Sequence, residues 1–437
     1  MTPLRKNHFV SVADRRACMT GFSLVELMVA MVIGLIITFA VVQIFTTSRT
    51  TYQTDEGLAR VQENGRFAVE FLTREIRQAG DIGCRQAPEL NLSASPLTYD
   101  NATPGASAFT GIQGYEYQGT SPGNTFVISA EEPNNVAAGW TPARNAVTAT
   151  DLTLAVAAAG GGGLMPAAIP GSDALILQRM DMTLPAYAPH ADQQFVYVSS
   201  ALNTAGTNNR IPAGPAVISN CRRASFFVVS AVGKGAATAP DGTSLDRLEH
   251  DTSNNCKIWG AMPGSLANAP LTATAICSEI AQEYHTESGT NSGAALVGKL
   301  TTTAFYIGRG ASNSPALFQS TAIWGNGSYA EPVSVELVDG VESMQILYGV
   351  DTGVDGTADT YITADNVISW QTVVSVHISL LMRSSNVTGN AADLSDDTNT
   401  YILAGPDAAT GVTVDPFDDK RRRRVFNVTL QLRNRGA

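Results

Sequence analysis

Glu26 is the one formal charge in a run of 24 residues, Phe22 to Phe45. A carboxylate in hydrocarbon costs about 2.5–3.5 kcal/mol on insertion scales, so its chemistry is a search for a positive partner. The sequence offers a way to make one. A cut between Gly21 and Phe22 would free an amino group at Phe22 and leave Glu26 as the fifth residue of a new N-terminus. Among parallel apolar helices, Glu26 of one subunit can pair with the Phe22 amine of its neighbour. Because an unpaired charge there is costly, the pair acts as a registry device.

Other reactive residue types lack the company that catalysis needs. Ser121 sits in "GTSPG" (119–123), formally G-x-S-x-G, but a nucleophile elbow needs a strand, a turn and then a helix. Here Pro122 follows the serine and a strand-like "NTFVIS" comes next, so a turn is expected. The histidines at 8, 190, 250, 285 and 377 are scattered, and His377 falls in an apolar strand as a structural residue. Glu279, Glu283 and His285 in "EIAQEYHTE" read as a solvated face. "VGKGAA" lacks the glycine spacing and the Ser/Thr of a phosphate loop. No constellation of base, nucleophile and orienting group emerges, and an enzyme is not expected.

No cofactor is expected, and calcium is the one metal candidate. In "DTGVDGTADTYI" (351–362), Asp351, Asp355 and Asp359 offer oxygens at loop positions 1, 5 and 9, with Gly356 at the turn position. Gly353 and Ile362 stand where two further ligands belong, and the competing reading is an acidic turn joining two strands. "DDKRRRR" (418–424) could dock an acidic partner or DNA, but Asp415, Asp418 and Asp419 lie just upstream. A solvated loop leading into the last strand is expected there.

The elements that must position Glu26 follow from hydropathy. Residues 1–21 carry Arg5, Lys6, Arg15 and Arg16 against Asp14, a net charge of +3, and the remainder carries 24 basic and 38 acidic residues. A basic leader before an apolar run long enough to span a bilayer keeps the N-terminus in the cytoplasm and sends the body across. After Phe45 the pattern turns amphipathic: Leu58, Val61, Gly65, Ala68, Leu72, Ile76 and Ala79 recur at spacings of three and four until Gly80 and Gly83. One helix from Phe22 to about Ala79 is expected, about 87 Å long if unbroken.

Beyond it the signals are β. "NTFVISA", "LTLAVA", "ALILQ", "FVYVSS", "SFFVVSAV" and "TTAFYIG" are short apolar or alternating runs between turn residues. "VVSVHISLLM" (373–382) and "VFNVTLQL" (425–432) are expected to be adjacent antiparallel strands, and "AAAGGGGLMPAAIPG" (157–171) a flexible loop. The fold class is α+β: a long N-terminal helix, with a transmembrane first half (22–45) and an amphipathic second half (46–80), then a large antiparallel-β-rich body (81–437). A division of that body into two subdomains near residue 250 stays open. Outside the cytoplasm thiols oxidise. Cys18 lies in the leader, leaving Cys84, Cys221, Cys256 and Cys277 for two disulfides with three connectivities. Cys256 with Cys277, and Cys84 with Cys221, is the pairing favoured here.

"GFSLVELMVAMVIGLII" resembles the N-terminal motif of type IV pilins and type II secretion pseudopilins. The resemblance implies cleavage after Gly21 by prepilin peptidase, N-methylation of Phe22, and Glu26 as the assembly glutamate. "RVQENGRFAVEFLTREIRQAGDIGC" (60–84) is similar to the minor pilin PilW family, as are 335–351, 370–384 and 424–434, and the shorter 171–181 and 302–310. Residues 85–170 and 182–300 depart from that family's pattern.

Membership would imply a minor subunit that joins other minor pilins and the major pilin. It would pass from the inner membrane, with a periplasmic body, to the tip of an extracellular pilus beside a tip adhesin, supporting twitching motility and adhesion. A type II secretion pseudopilin is the closest rival. A tip adhesin or DNA-uptake subunit is another, although the acidic body argues against a broad nucleic-acid footprint.

Overall fold

The computed structural model describes residues 23–83, 111–129, 139–142, 166, 168–187, 195–205, 208–219, 224–239, 241–249, 295–325, 328–353, 355–387, 399–419 and 421–433. The chain divides at Thr54/Asp55 into an N-terminal unit and a much larger second unit ending at Ala437.

One helix, α1, runs Leu24–Ile76. Glu26 lies in its first turn and Arg74 in its last, both signs matched to the helix dipole. Its end is set by Gly80, at φ 74°, where a left-handed residue suits glycine. Gly80 N–H then bonds Gln178 O at 2.9 Å, handing the chain to the sheet.

The strands, in chain order, are β1 (Ile112–Tyr117), β2 (Thr125–Val127), β3 (Trp140–Pro142), β4 (Ala174–Tyr187), β5 (Val196–Ser199), β6 (Thr204–Ala205) and β7 (Asn208–Asn209). Then come β8 (Gly214–Ser219), β9 (Ala224–Val229), β10 (Ala231–Thr238), β11 (Ser244–Glu249), β12 (Leu296–Arg309), β13 (Pro315–Gly325) and β14 (Ser328–Asp339). The rest are β15 (Val341–Val350), β16 (Thr360–Ile362), β17 (Val373–Val387), β18 (Tyr401–Leu403), β19 (Val412–Asp415) and β20 (Arg421–Gln431).

The largest sheet runs β10-β11-β5-β4-β12-β13-β14, with β1, β3, β8 and β9 attached to it. It draws strands from both sides of residue 250, so that position is no sheet boundary. Its ends are blunted as exposed edges must be: β14 carries Pro332, and β10 carries Lys234 beside a register shift between Gly233 and Ala237.

A second sheet runs β16-β15-β17-β20. All ten residues of β15 are buried, a pattern expected of a strand covered on both faces. The expected pairing of 373–382 with 425–432 is present as β17 against β20, antiparallel, from Ser375↔Gln431 to Met382↔Arg424. A third sheet, β18-β19-β2, closes the Leu381 end of β17 through Ile128, Leu403, Val412 and Val414.

The main core lies where the stripe of α1 meets both larger sheets: Leu72 and Ile76 with Leu175, Phe305, Leu317, Ile346, Tyr348, Ile378 and Leu380. The stripe is Gly57, Val61, Gly65, Ala68, Leu72 and Ile76, continued by Ala79. Leu58, read from the sequence as its first member, is 37% exposed; Gly57 holds that place, since four residues back from Val61 is one turn. "LTLAVA" lies outside the described residues.

Candidate functional site

The start of α1 is built from Ser23 and Glu26. Glu26 N–H donates to Ser23 Oγ at 3.2 Å, and Ser23 N–H donates to Glu26 Oε2 at 3.3 Å. This is a reciprocal capping box, which satisfies two donors that the first turn otherwise leaves bare. The S-x-x-E spacing of this box is legible in "SLVE", beside the more conspicuous charge of the acid. Glu26 therefore has a partner within its own chain. Gly21 and Phe22 lie outside the described residues.

The helix beyond Glu26 is apolar and uncovered. Its most apolar 18-residue window has a mean hydropathy of 2.7 with none of it buried, and the helix is long and apolar enough to cross a membrane. Its large apolar side chains are 44% (Val41) to 76% (Leu24) exposed. Hydroxyls along it return to the backbone: Thr38 Oγ1 to Gly34 O at 2.7 Å, Thr51 Oγ1 to Thr47 O at 3.0 Å and Thr54 Oγ1 to Thr50 O at 2.9 Å. Back-bonding of this kind satisfies a hydroxyl without water.

From Asp55 onward the helix is locked to the sheets. A Cβ at Gly65 would lie 2.3 Å from Phe426 Cε2, so glycine is what lets the β20 ring lie against the helix. Asn64 Nδ2 donates to Asp339 O at 3.2 Å, and Glu75 pairs with Arg179 of β4. A polar cleft of about 340 Å³ opens beside this seam, lined by Arg60, Asn64, Gly340, Arg383 and Ser384 among others.

The arginine run is not a solvated loop. It begins β20, and strand alternation turns Arg423 inward, its side chain 0% exposed. Arg423 and Arg383 are a register pair across β20 and β17, and two guanidiniums so placed would repel. Glu342 of β15 and Asp419 intervene. Arg423 Nε and Nη2 donate to Glu342 Oε2 and Oε1 at 2.6 and 3.0 Å, and Arg423 Nη1 meets Asp419 Oδ1 at 2.9 Å. Arg383 Nη1 stands 3.5 Å from Glu342, and Arg421 Nε 3.1 Å from Asp419. Burial disfavours the charge on Arg423, but Glu342 and Asp419 outweigh it and raise its pKa. Glu342 lies 81 residues from Arg423 in the chain, so no local pattern could have revealed the pair.

The three aspartates of the calcium candidate share the loop joining β15 to β16, but each carboxylate is taken up within the loop. Asp351 accepts from Gly356 N–H at 2.7 Å, Asp355 from Thr357 N–H at 2.9 Å, and Asp359 from the N–H and hydroxyl of Thr352 at 2.7 and 2.6 Å. The Thr357 and Thr352 hydroxyl bonds, with the adjacent backbone bonds, hold Asp355 and Asp359 below the ordinary carboxylate value. Among the described residues, no group of three His, Cys, Asp or Glu side chains is placed to hold a metal ion.

Ser121 opens a turn, its carbonyl accepting Asn124 N–H at 3.0 Å, as expected from Pro122. His377 meets Thr429 Oγ1 at 2.8 Å, and burial lowers its pKa. Cys18, Cys84, Cys221, Cys256 and Cys277, with Glu279, Glu283 and His285, lie outside the described residues.

Two family models match this chain. The prokaryotic N-terminal methylation motif matches residues 16–42, and the type IV pilus-assembly protein W family (PilW) matches residues 304–434. The first takes in Gly21, Phe22 and Glu26; the second runs from within β12 through β20 and includes the Arg423–Glu342 pair. A solved type IV-like pilin from Thermus thermophilus is 17% identical, with the alignment covering 32% of this chain and 67% of that one, at a TM-score of 0.20. No curated protein sequence matches. A helix opened by the methylation motif and followed by an antiparallel body supports a type IV pilin-like subunit. Within that class, the C-terminal part of the body is similar to the PilW family over residues 304–434.

Proposed function

We propose that this protein is a minor subunit that primes or supports assembly of a type IV pilus, in a structural rather than a catalytic role. The observation that carries the reading is the uncovered apolar surface of α1, Leu24 to Phe45, with a carboxylate at its head. An apolar helix of that length finds its solvent in a bilayer or among like helices. Prepilin peptidase would cut between Gly21 and Phe22, and Phe22 would be N-methylated. The subunit would wait in the inner membrane as a single-pass protein with its body outside the cytoplasm. On assembly with other minor pilins and the major pilin, Glu26 would exchange its capping-box bond to Ser23 for the charged Phe22 amine of a neighbour. The Ser23 N–H is a neutral donor while the Phe22 amine carries a full positive charge, and attraction between opposite charges strengthens out of water, which favours that exchange. The body would then stand at the fibre tip, where an adhesin could join it.

Glu26→Ala tests this in a strain whose native copy is deleted. The variant should reach the membrane at normal level yet fail to restore surface pili. Normal piliation and twitching by Glu26→Ala would remove the assembly role; normal pili with lost protein secretion would move the subunit to the secretion machinery.

A further inference from the structure

Glu116 and Asp173 stand opposite each other inside the body. The β1–β4 register runs from Ile112↔Leu177 to Tyr115↔Ala174; continued by one residue it would oppose Glu116 to Asp173, and Glu116 feels the Asp173 charge. Directly opposed residues on antiparallel neighbours have Cβ atoms about 4.5–5.5 Å apart. Each of the two acids is 2% exposed. Asp173 is held by the backbone: Tyr117 N–H donates to Oδ1 at 3.0 Å and Ile346 N–H to Oδ2 at 2.8 Å. Neither Glu116 oxygen makes a hydrogen bond of ordinary geometry, although the Ala364 N–H and Ser121 stand near enough to favour its charge in part.

A second orphan faces the same place. The Tyr348 hydroxyl, on a fully buried ring, makes no hydrogen bond. It lies over Gly114, where a Cβ would be 2.0 Å away, and Gly114 shares its strand face with Glu116. Trp370 packs edge-on against the Tyr348 ring at 4.8 Å and holds it there.

The charged groups that act on Glu116 are acids. They are Asp173 across the strand pair and Asp365 of the short 3-10 turn Ala364–Asn366; Ser121 and the Ala364 N–H offset them in part. Tyr348 of β15 is the other titratable neighbour, and it feels both Asp173 and Glu116. β3 contributes Trp140 and Thr141, which carry no charge. Two opposed buried carboxylates need a positive charge between them, since both cannot ionise at such range.

We propose that Glu116 and Asp173 form a buried proton-binding pair that holds at least one proton in the folded protein at neutral pH, and that loss of this proton loosens β1 and the Ala364–Asn366 turn from β15. Burial, then the neighbouring acids, raises the pKa of Glu116; burial likewise raises Asp173. Both folded values lie above their unfolded ones. Stability from the pair is therefore complete below the ordinary carboxylate range and is lost as pH rises. For each proton held by the folded chain and not by the unfolded one, the unfolded-to-folded ratio climbs about tenfold per pH unit.

The test uses full-length protein in detergent micelles, melted between pH 5 and 9, beside Glu116→Gln, with infrared spectra of both at pH 8. The wild type should lose stability as pH rises and show the carbonyl band of an un-ionised carboxylic acid. Glu116→Gln should melt higher than the wild type at pH 8, have at most half its pH slope, and lack the band. A wild type with no such band, or with a flat melting profile over this range, overturns the proposal, and both readings are available even if the variant fails to fold. A melting point at fixed pH that falls on adding EDTA also overturns it, since the pair would then hold a metal ion.

Discussion

Replacing Glu342 by alanine removes the acid that separates two buried guanidiniums. In the wild type Arg383, Arg421 and Arg423 share Glu342 and Asp419, and the Arg423 and Glu342 side chains are 0% and 1% exposed. Without Glu342, Arg423 keeps Asp419 at 2.9 Å and Phe417 O at 3.2 Å, but loses both bonds of its fork. Breaking a buried pair by removing one partner costs about 3–5 kcal/mol. At about 2.1 cal/mol/K per residue, the unit beginning at Asp55 unfolds with an entropy of about 0.8 kcal/mol/K, so a loss of about 4 kcal/mol lowers Tm by about 5 °C.

The double replacement Glu342→Met with Arg423→Met removes the charges together and should cost less than half of that, because a buried pair often breaks even with apolar residues of similar volume. A coupling energy of at least about 2 kcal/mol is expected from the cycle completed by the single variants Glu342→Met and Arg423→Met, read by tryptophan fluorescence during thermal unfolding. A shift below about 1 °C for Glu342→Ala, or a double variant as unstable as the two single ones summed, would refute the argument.

Two further outcomes follow from the same geometry. Gly65→Ala places a methyl 2.3 Å from Phe426 Cε2 and should cost about 1–3 kcal/mol as the ring is displaced. Phe426→Ala in the Gly65→Ala background should recover part of that loss, measured by urea unfolding.

Asp246 is buried and accepts Ser200 Oγ at 2.6 Å, Lys234 Nζ at 2.7 Å, Asn203 Nδ2 at 3.0 Å and Gly235 N–H at 3.1 Å. Burial raises its pKa, but these bonds together hold it below the usual value. Its contribution is thus present above the unfolded carboxylate range and lost as pH falls through the folded pKa. Acid unfolding of Asp246→Asn should be less steep below about pH 4 than that of the wild type, with lower stability at pH 7.

What the sequence disclosed was local. The stripe Val61, Gly65, Ala68, Leu72 and Ile76 could be read because helical period alone places it, and the phase slipped only where Gly57, which has no side chain to register, replaced Leu58. The β17–β20 pairing is legible because both strands alternate over seven residues, Val374 to Leu380 and Phe426 to Leu432. The turn at Ser121 followed from Pro122.

Contacts across the chain were not legible. The pairing of β4 with β12 joins Leu177 to Thr303, and nothing near either residue names the other. "RRRR" as composition implies a solvated charge at Arg423; counted as strand, alternate members must turn inward. Glu116 and Asp173 went unnoticed for the same reason, since each is an ordinary acid until the register opposes them.

The central claim is that this chain enters a fibre through a processed helix whose first residue is Phe22. Mass spectrometry of sheared surface fibres, seeking the tryptic peptide that begins at Phe22, tests it most directly. A methylated Phe22 peptide, in trace amounts beside the major subunit, is the predicted result. An uncut chain that still carries Gly21, or a processed chain confined to membranes, would contradict it.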